Sequence, residues 1–270
     1  MHPDVAPAFA HVTAWVFDLD NTLYPPEVRL FDQIEVRMTA WVMRELGVGR
    51  AEANRLRLHY WDRYGTTLAG LMREHGADPA PYLTEVHDID FSVLPPDPGL
   101  AQAIANLPGR RIVYTNACVP YAEKVLAARG LDHLFHAVYG IENAGFLPKP
   151  EPAAFTAIFA RDGLNPACAA MFEDDARNLA APHALGMSTV HVAAKPLKAR
   201  HIHHHSPDLT GFLGRLARSP GLGQSASLAR SPSLAQSPSL SQSPSLAQSP
   251  SLGQSPRRAA LDPPDDPHPD

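Results

Sequence analysis

Asp18 and Asp20 stand two residues apart where the apolar run Val12 to Phe17 breaks, and Thr22 follows at the same spacing. A carboxylate so placed can act as a nucleophile, and a second beside it can carry a proton. Three further polar clusters follow in chain order: Thr115-Asn116, then Lys149 within Phe146-Leu147-Pro148-Lys149-Pro150-Glu151-Pro152, then Glu173-Asp174-Asp175. Singly, each has a plain structural reading. Asp18 and Asp20 suit a capped turn, Thr115 a strand end, Lys149 a solvent-facing ammonium, and Glu173 to Asp175 the cap of a helix beginning near Asn178. Brought together they read differently, because crowded carboxylates repel unless a cation joins them. Oxygen donors with no Cys or His at ligand spacing specify a hard ion, and Mg²⁺ suits them best. Mg²⁺ with Lys149 and Thr115 beside it is a site for a phosphoryl group, with an aspartate as nucleophile.

Whether the clusters meet depends on the elements that carry them. Val12 to Phe17 is short, β-branched and aromatic, which reads as a buried strand. From Val28 to Leu46 the apolar residues recur at helical spacing and Gly47 supplies a stop. Helical stretches at 50–64, 67–75 and 79–87 follow with no strand pattern among them, so residues 23–95 read as an all-helical insertion. Pro95, Pro96 and Pro98 mark the return. Thereafter helices at 98–107, 119–129, 151–161 and 178–185 alternate with strands at 111–115, 136–140, 168–172 and 187–192, and a last helix spans 208–217. That alternation predicts an α/β fold with a parallel sheet, which sets all four clusters on its carboxyl edge. The expected organisation is a core of 1–22 and 96–217, a helical insertion of 23–95 and a tail of 218–270.

The tail has 10 Pro among its 53 residues and no aromatic, and from Ser219 it runs through hexapeptides such as SPSLAQ. Such a segment buries too little apolar surface to offset its ordering entropy and is expected to be disordered. Its six Ser-Pro dipeptides leave a non-enzymatic alternative, a scaffold acting through phosphorylation of the tail. A net charge of -5 argues against nucleic acid as a partner. Two cysteines, no basic leader and no apolar run of about eighteen residues favour a soluble cytoplasmic protein without membrane contact. His201, His203, His204 and His205 read more simply as a polar edge strand than as a metal site. Cys118 sits near the active-site edge with nothing nearby expected to supply a base to activate it, and reads as a small residue at a helix N-terminus.

The four ordered motifs, D-x-D-x-T at Asp18, Asp20 and Thr22, then Thr115, Lys149 and Glu173-Asp174, resemble those of the haloacid dehalogenase superfamily of phosphohydrolases over residues 12–215. Within it, FDLDNTLYP, YGTTLAGLM, VHDID and FEDDARNL look like the pyrimidine 5'-nucleotidase subfamily. The resemblance implies a Rossmann-like core with a helical cap inserted after the first strand. It implies that Asp18 attacks phosphorus to form an aspartyl-phosphate, while Asp20 protonates the leaving oxygen and then activates water. Thr115 and the Asn116 backbone amide would hold a phosphoryl oxygen, and Lys149 would offset the negative charge. Mg²⁺ would bind the Asp18 carboxylate, the Asp20 main-chain carbonyl and the Asp174 carboxylate. Asp175 departs from the usual Ser, and Ala117 from the common Gly; Asp175 either strengthens Mg²⁺ binding or caps a helix, with the cap favoured. The substrate implied is a nucleoside 5'-monophosphate, UMP or CMP. A broader small-metabolite phosphatase and a phosphomutase are the alternatives, whereas Asp20 argues against dehalogenase chemistry. At the tip of the insertion, Tyr64 and the hydroxyls of Thr66 and Thr67 suit contact with a base, and equally well the start of a helix.

Overall fold

In the computed structural model, which describes residues 5–217, six strands form one sheet. They are β1 Ala14–Phe17, β2 Arg110–Tyr114, β3 Ala137–Tyr139, β4 Ala169–Glu173, β5 Ser188–Val192 and β6 His204–Ser206. Their order is β3-β2-β1-β4-β5-β6 and every neighbouring pair is parallel, as the alternation of elements predicts. The chain winds outward from β1 to one edge and then, from β4, to the other, which places a crevice beside the carboxyl end of β1. The predicted repeat tail, 218–270, lies outside the described residues.

Strand β1 is buried on both faces, which is why its residues are all apolar. Trp15 and Phe17 point to a layer holding Phe9, Phe172 and Phe212, while Val16 points to one holding Ile112, Phe155 and Met171. The Phe17 and Phe172 rings stack at 4.8 Å. Phe17 pairs with Val113 and with Phe172, so the chain leaves β1 at Asp18 between the ends of β2 and β4.

Nine α-helices are described: α1 Leu30–Leu46, α2 Arg50–Tyr64, α3 Thr67–His75, α4 Pro79–Val86, α5 Pro98–Ala105, α6 Val119–Arg129, α7 Pro152–Asp162, α8 Ala180–Ala184 and α9 Leu209–Ala217. Helices α1 to α4 follow β1 with no strand among them, as the helical insertion requires. Trp41 of α1 meets Tyr82 of α4 edge to face at 5.1 Å. A Cβ on Gly70 would lie 2.2 Å from the Tyr60 ring, so α2 and α3 approach this closely only because that position is glycine. The insertion is tied down by Arg129 of α6. Its Nε donates to Leu23 O at 3.2 Å, its Nη1 to Pro95 O and its Nη2 to Asp97 Oδ2 at 2.7 Å, so one buried guanidinium holds the chain at both ends of the insertion.

Elsewhere the observed elements differ from expectation at their ends. The first strand starts at Ala14, because Val12 N–H turns back to Phe9 O after a 3-10 turn at Ala6–Phe9 that the sequence pattern does not announce. The expected helix 178–185 forms as a 3-10 turn, Ala176–Leu179, followed by α8. The histidine cluster contributes the edge strand β6, pairing with β5, and His204 packs on Phe9 at 4.9 Å. No described helix is long and apolar enough to cross a membrane.

Candidate active site

The carboxyl ends of β1, β2 and β4 bring the predicted residues to one place. Lys149 is 1 % exposed, and its Nζ lies 2.6 Å from Asp18 Oδ1, 2.6 Å from Glu173 Oε2 and 3.2 Å from Tyr114 O. The loop that delivers it is held by Asn116, whose side-chain amide donates to Lys149 O at 3.1 Å and accepts from Lys149 N at 2.8 Å. Gly65, at the end of α2, touches the same loop: a Cβ there would sit 2.7 Å from Lys149 O, and its φ is +87°. Thr115 is buried, and its hydroxyl accepts from Ala117 N at 3.0 Å.

Burial opposes the charge on Lys149, but the Asp18 and Glu173 carboxylates outweigh it and raise the ammonium's pKa. One ammonium does not balance the acids around it. Burial, then the charge of Asp18, raises the Glu173 carboxyl, and burial, then Glu173 and Asp18, raises Asp174 well above the ordinary carboxylate range. One oxygen each of Asp18, Glu173 and Asp174 lies within 4.8 Å of the others. This compact, buried, oxygen-only set with surplus negative charge fits a hard divalent cation. Glu173 Oε2 is committed to Lys149 and its Oε1 accepts from Asp175 N at 3.2 Å, which leaves Asp18 and Asp174 the freer ligands.

Asp20 is held differently. Its Oδ1 accepts from both Tyr24 Oη and Tyr121 Oη, each at 2.6 Å. Burial and the neighbouring Asp18 charge push its carboxyl up to about 6 against these two donors and Lys149. A group poised there can give and take a proton near neutral pH.

These groups open onto a cavity of about 620 Å³. Asp18, Asp20, Thr115, Asn116, Lys149 and Asp174 line one end; the insertion supplies the other, with Phe31, Met38, Arg57, Trp61, Thr67 and Tyr82 among its walls. Thr66 starts α3 as a helix cap, accepting from Ala69 N at 3.1 Å, and Thr67 is buried beneath it facing the cavity. Tyr64, expected to offer its ring at the tip, is not among the cavity's lining residues; it donates to Glu74 at 2.8 Å, with Arg63 and Arg73 against its ring. Trp61 and Tyr82 provide the aromatic walls in its place.

Several residues of the site escaped the sequence reading. Tyr24 lies inside the first motif, but nothing in the sequence pairs it with Tyr121, 97 positions later. Glu173 was read only as part of an acidic cluster, and its bond to Lys149 gives it a distinct task. Asp175 caps the turn at Ala176–Leu179 and binds Arg177 at 2.7 Å, in keeping with the cap reading. Cys118 stands at the N-terminus of α6 as expected, but a base does lie near it, since His87 of the insertion places Nδ1 3.2 Å from its sulfur. Burial raises the thiol and holds the imidazole down to about 4, which disfavours a charged thiolate–imidazolium pair. Both cysteines are free.

A parallel sheet wound outward from β1, with carboxylates and a buried lysine at its carboxyl edge and helices inserted after the first strand, defines a Rossmann-like α/β class with its site at the switch point of the sheet. The model of the haloacid dehalogenase-like hydrolases matches residues 12–186, and the chain belongs to this family. Phosphate metabolism protein 8 of Saccharomyces cerevisiae is 28 % identical over 207 residues, covering 70 % of this chain and 63 % of that protein, so the chain spans under two thirds of the relative's length. Among solved structures, a phosphatase of the family from Thermococcus onnurineus superimposes with a TM-score of 0.52 at 18 % identity, over 76 % of this chain and 98 % of that one. A 2-haloacid dehalogenase from Pseudomonas syringae pv. Tomato DC3000 gives 0.49 at 19 % identity, over 77 % and 99 %.

Proposed function

We propose that the protein is a Mg²⁺-dependent phosphatase that hydrolyses nucleoside 5'-monophosphates, with pyrimidine nucleotides preferred. The observation that carries this reading is the pairing, at one cavity end, of a buried Asp18 bridged to Lys149 with an Asp20 carboxyl raised to about 6. Asp18 is the nucleophile and forms an aspartyl-phosphate as the leaving oxygen departs. Asp20 protonates that oxygen and then takes a proton from the water that cleaves the acyl phosphate. Thr115 and the Asn116 backbone amide hold a phosphoryl oxygen, and Lys149 offsets the charge shared by Asp18 and the phosphate. Asp18, Asp174 and the Asp20 carbonyl would hold Mg²⁺, which when bound supplies positive charge at the phosphoryl oxygens.

Residues 23–95 act as the cap over the core of 1–22 and 96–217, and the aromatic walls Trp61 and Tyr82 with the Thr67 hydroxyl suit a planar base carrying polar edges. The relative's name links it to phosphate metabolism. The two free cysteines accord with a reducing cytoplasm. A phosphate-release screen over pyrimidine and purine nucleotides and sugar phosphates tests the reading. Release should be highest with UMP or CMP, vanish in excess chelator and return with Mg²⁺. Full activity in chelator, or no release from any phosphomonoester, overturns it.

A further inference from the structure

Two phenols meet one oxygen of Asp20. Tyr24 and Tyr121 are each 1 % exposed, their hydroxyls are 3.4 Å apart, and both donate to Oδ1 at 2.6 Å. Tyr24 comes from the segment after β1 and Tyr121 from the first turn of α6. From the insertion, the His87 ring stacks on Tyr121 at 4.3 Å with 21° between planes, which fixes the phenol's direction. The motif's own Thr22 plays no such part, since its buried hydroxyl has no hydrogen-bond partner among the described residues. Burial and the Asp20 charge raise both phenols' pKa values, so they remain donors.

We propose that Tyr24 and Tyr121 are positioning residues that select Oδ2 of Asp20 as the oxygen that passes the proton to the leaving group. The argument is one of lone pairs. A carbonyl oxygen accepts two hydrogen bonds, whereas a protonated one would lose one of these donors. With both donors on Oδ1, the carboxyl hydroxyl sits on Oδ2. As the Asp18 oxygen bonds to phosphorus, the bond from phosphorus to the leaving oxygen breaks, and that oxygen takes the Oδ2 proton. The carboxylate left behind keeps both phenol donors, which stabilise its new charge.

The inference rests on the phosphatase reading, and its test separates the two. In the full chain, Tyr24→Phe, Tyr121→Phe and the double variant are followed in single turnovers with UMP, whose alkoxide leaves poorly, and with p-nitrophenyl phosphate, whose phenolate leaves without an acid. The double variant should release uridine about 100-fold more slowly, with a loss at least about tenfold smaller for p-nitrophenolate and unchanged substrate binding. Equal losses with the two esters, or no loss with either, overturn the positioning role. Melting temperature reports folding, and Tyr121→Phe alone gives the same comparison if Tyr24→Phe unfolds the chain. A wild-type protein that cleaves neither ester would instead remove the phosphatase reading.

Discussion

At the sheet end of the cavity the Lys149 side chain is 1 % exposed and lies 2.6 Å from two carboxylates, whereas at the helical end Arg57 pairs at 3.1 Å with a Glu35 side chain that is 51 % exposed. The first cluster is drawn from three strand ends and a loop stapled by Asn116; the second spans neighbouring helices α1 and α2. In a desolvated site each charge acts at low effective dielectric and has little room to relax, while an exposed pair is screened by water and salt. Chemistry that stabilises a developing charge belongs at the rigid end. On the proposed reading, discrimination among leaving groups belongs at the other, where apolar walls and a few polar atoms line the cavity.

Four changes would break or sharpen that contrast. Asp18→Asn should lower turnover by about 10⁴-fold or more with the fold retained, since an amide is neither a nucleophile nor a good cation ligand. Phosphate release within tenfold of wild type would place the nucleophile elsewhere. Lys149→Met leaves Asp18 and Glu173 buried without their shared cation and should cost about 3–5 kcal/mol of stability. Thermal melts at pH 7 and pH 5 check this, because protonating one of the facing carboxyls should recover part of the loss; an unchanged melting temperature would show that the lysine does not hold the acids together.

His87 reports on the junction between the two ends. Its imidazole is held down to about 4 by burial, against an unfolded value of about 6.5, so the unfolded chain binds more protons between these values. The stability it contributes is complete above about pH 6.5 and is lost as the pH falls toward 4, about 2 kcal/mol of it by pH 5. His87→Phe keeps a ring on Tyr121 and should flatten that decline; identical pH slopes in chemical denaturation would contradict the burial. The smallest effect is expected at the helical end, where Thr67→Val should lower kcat/KM for UMP and CMP by about fivefold, the worth of one hydrogen bond, while sparing a small generic phosphomonoester. Equal losses on both would remove the nucleotide preference.

Much of this is legible in the sequence. The helices 50–64, 67–75 and 119–129 match α2, α3 and α6, because the residues that bound them, such as Gly65, Thr66 and Gly130, are local signals. Asp18, Thr115, Lys149 and Asp174 were placed together by one inference, that the sheet is parallel, and they do converge. Tyr64 was misplaced because its aromatic character shows in the sequence, but the pull of Arg73 and Glu74 on it does not.

The order of the elements, their types and the strand ends that carry chemistry are thus written in the sequence, since periodicity and punctuation act over a few residues. Tertiary structure alone decided the rest: that Tyr121 reaches Asp20 across 101 positions, that His87 meets Cys118 across 31, and that Arg129 holds Leu23 across 106. Each joins groups that are ordinary where they stand in the chain. Burial is what makes such partners matter, because a polar group removed from water costs free energy unless the fold sets a partner beside it.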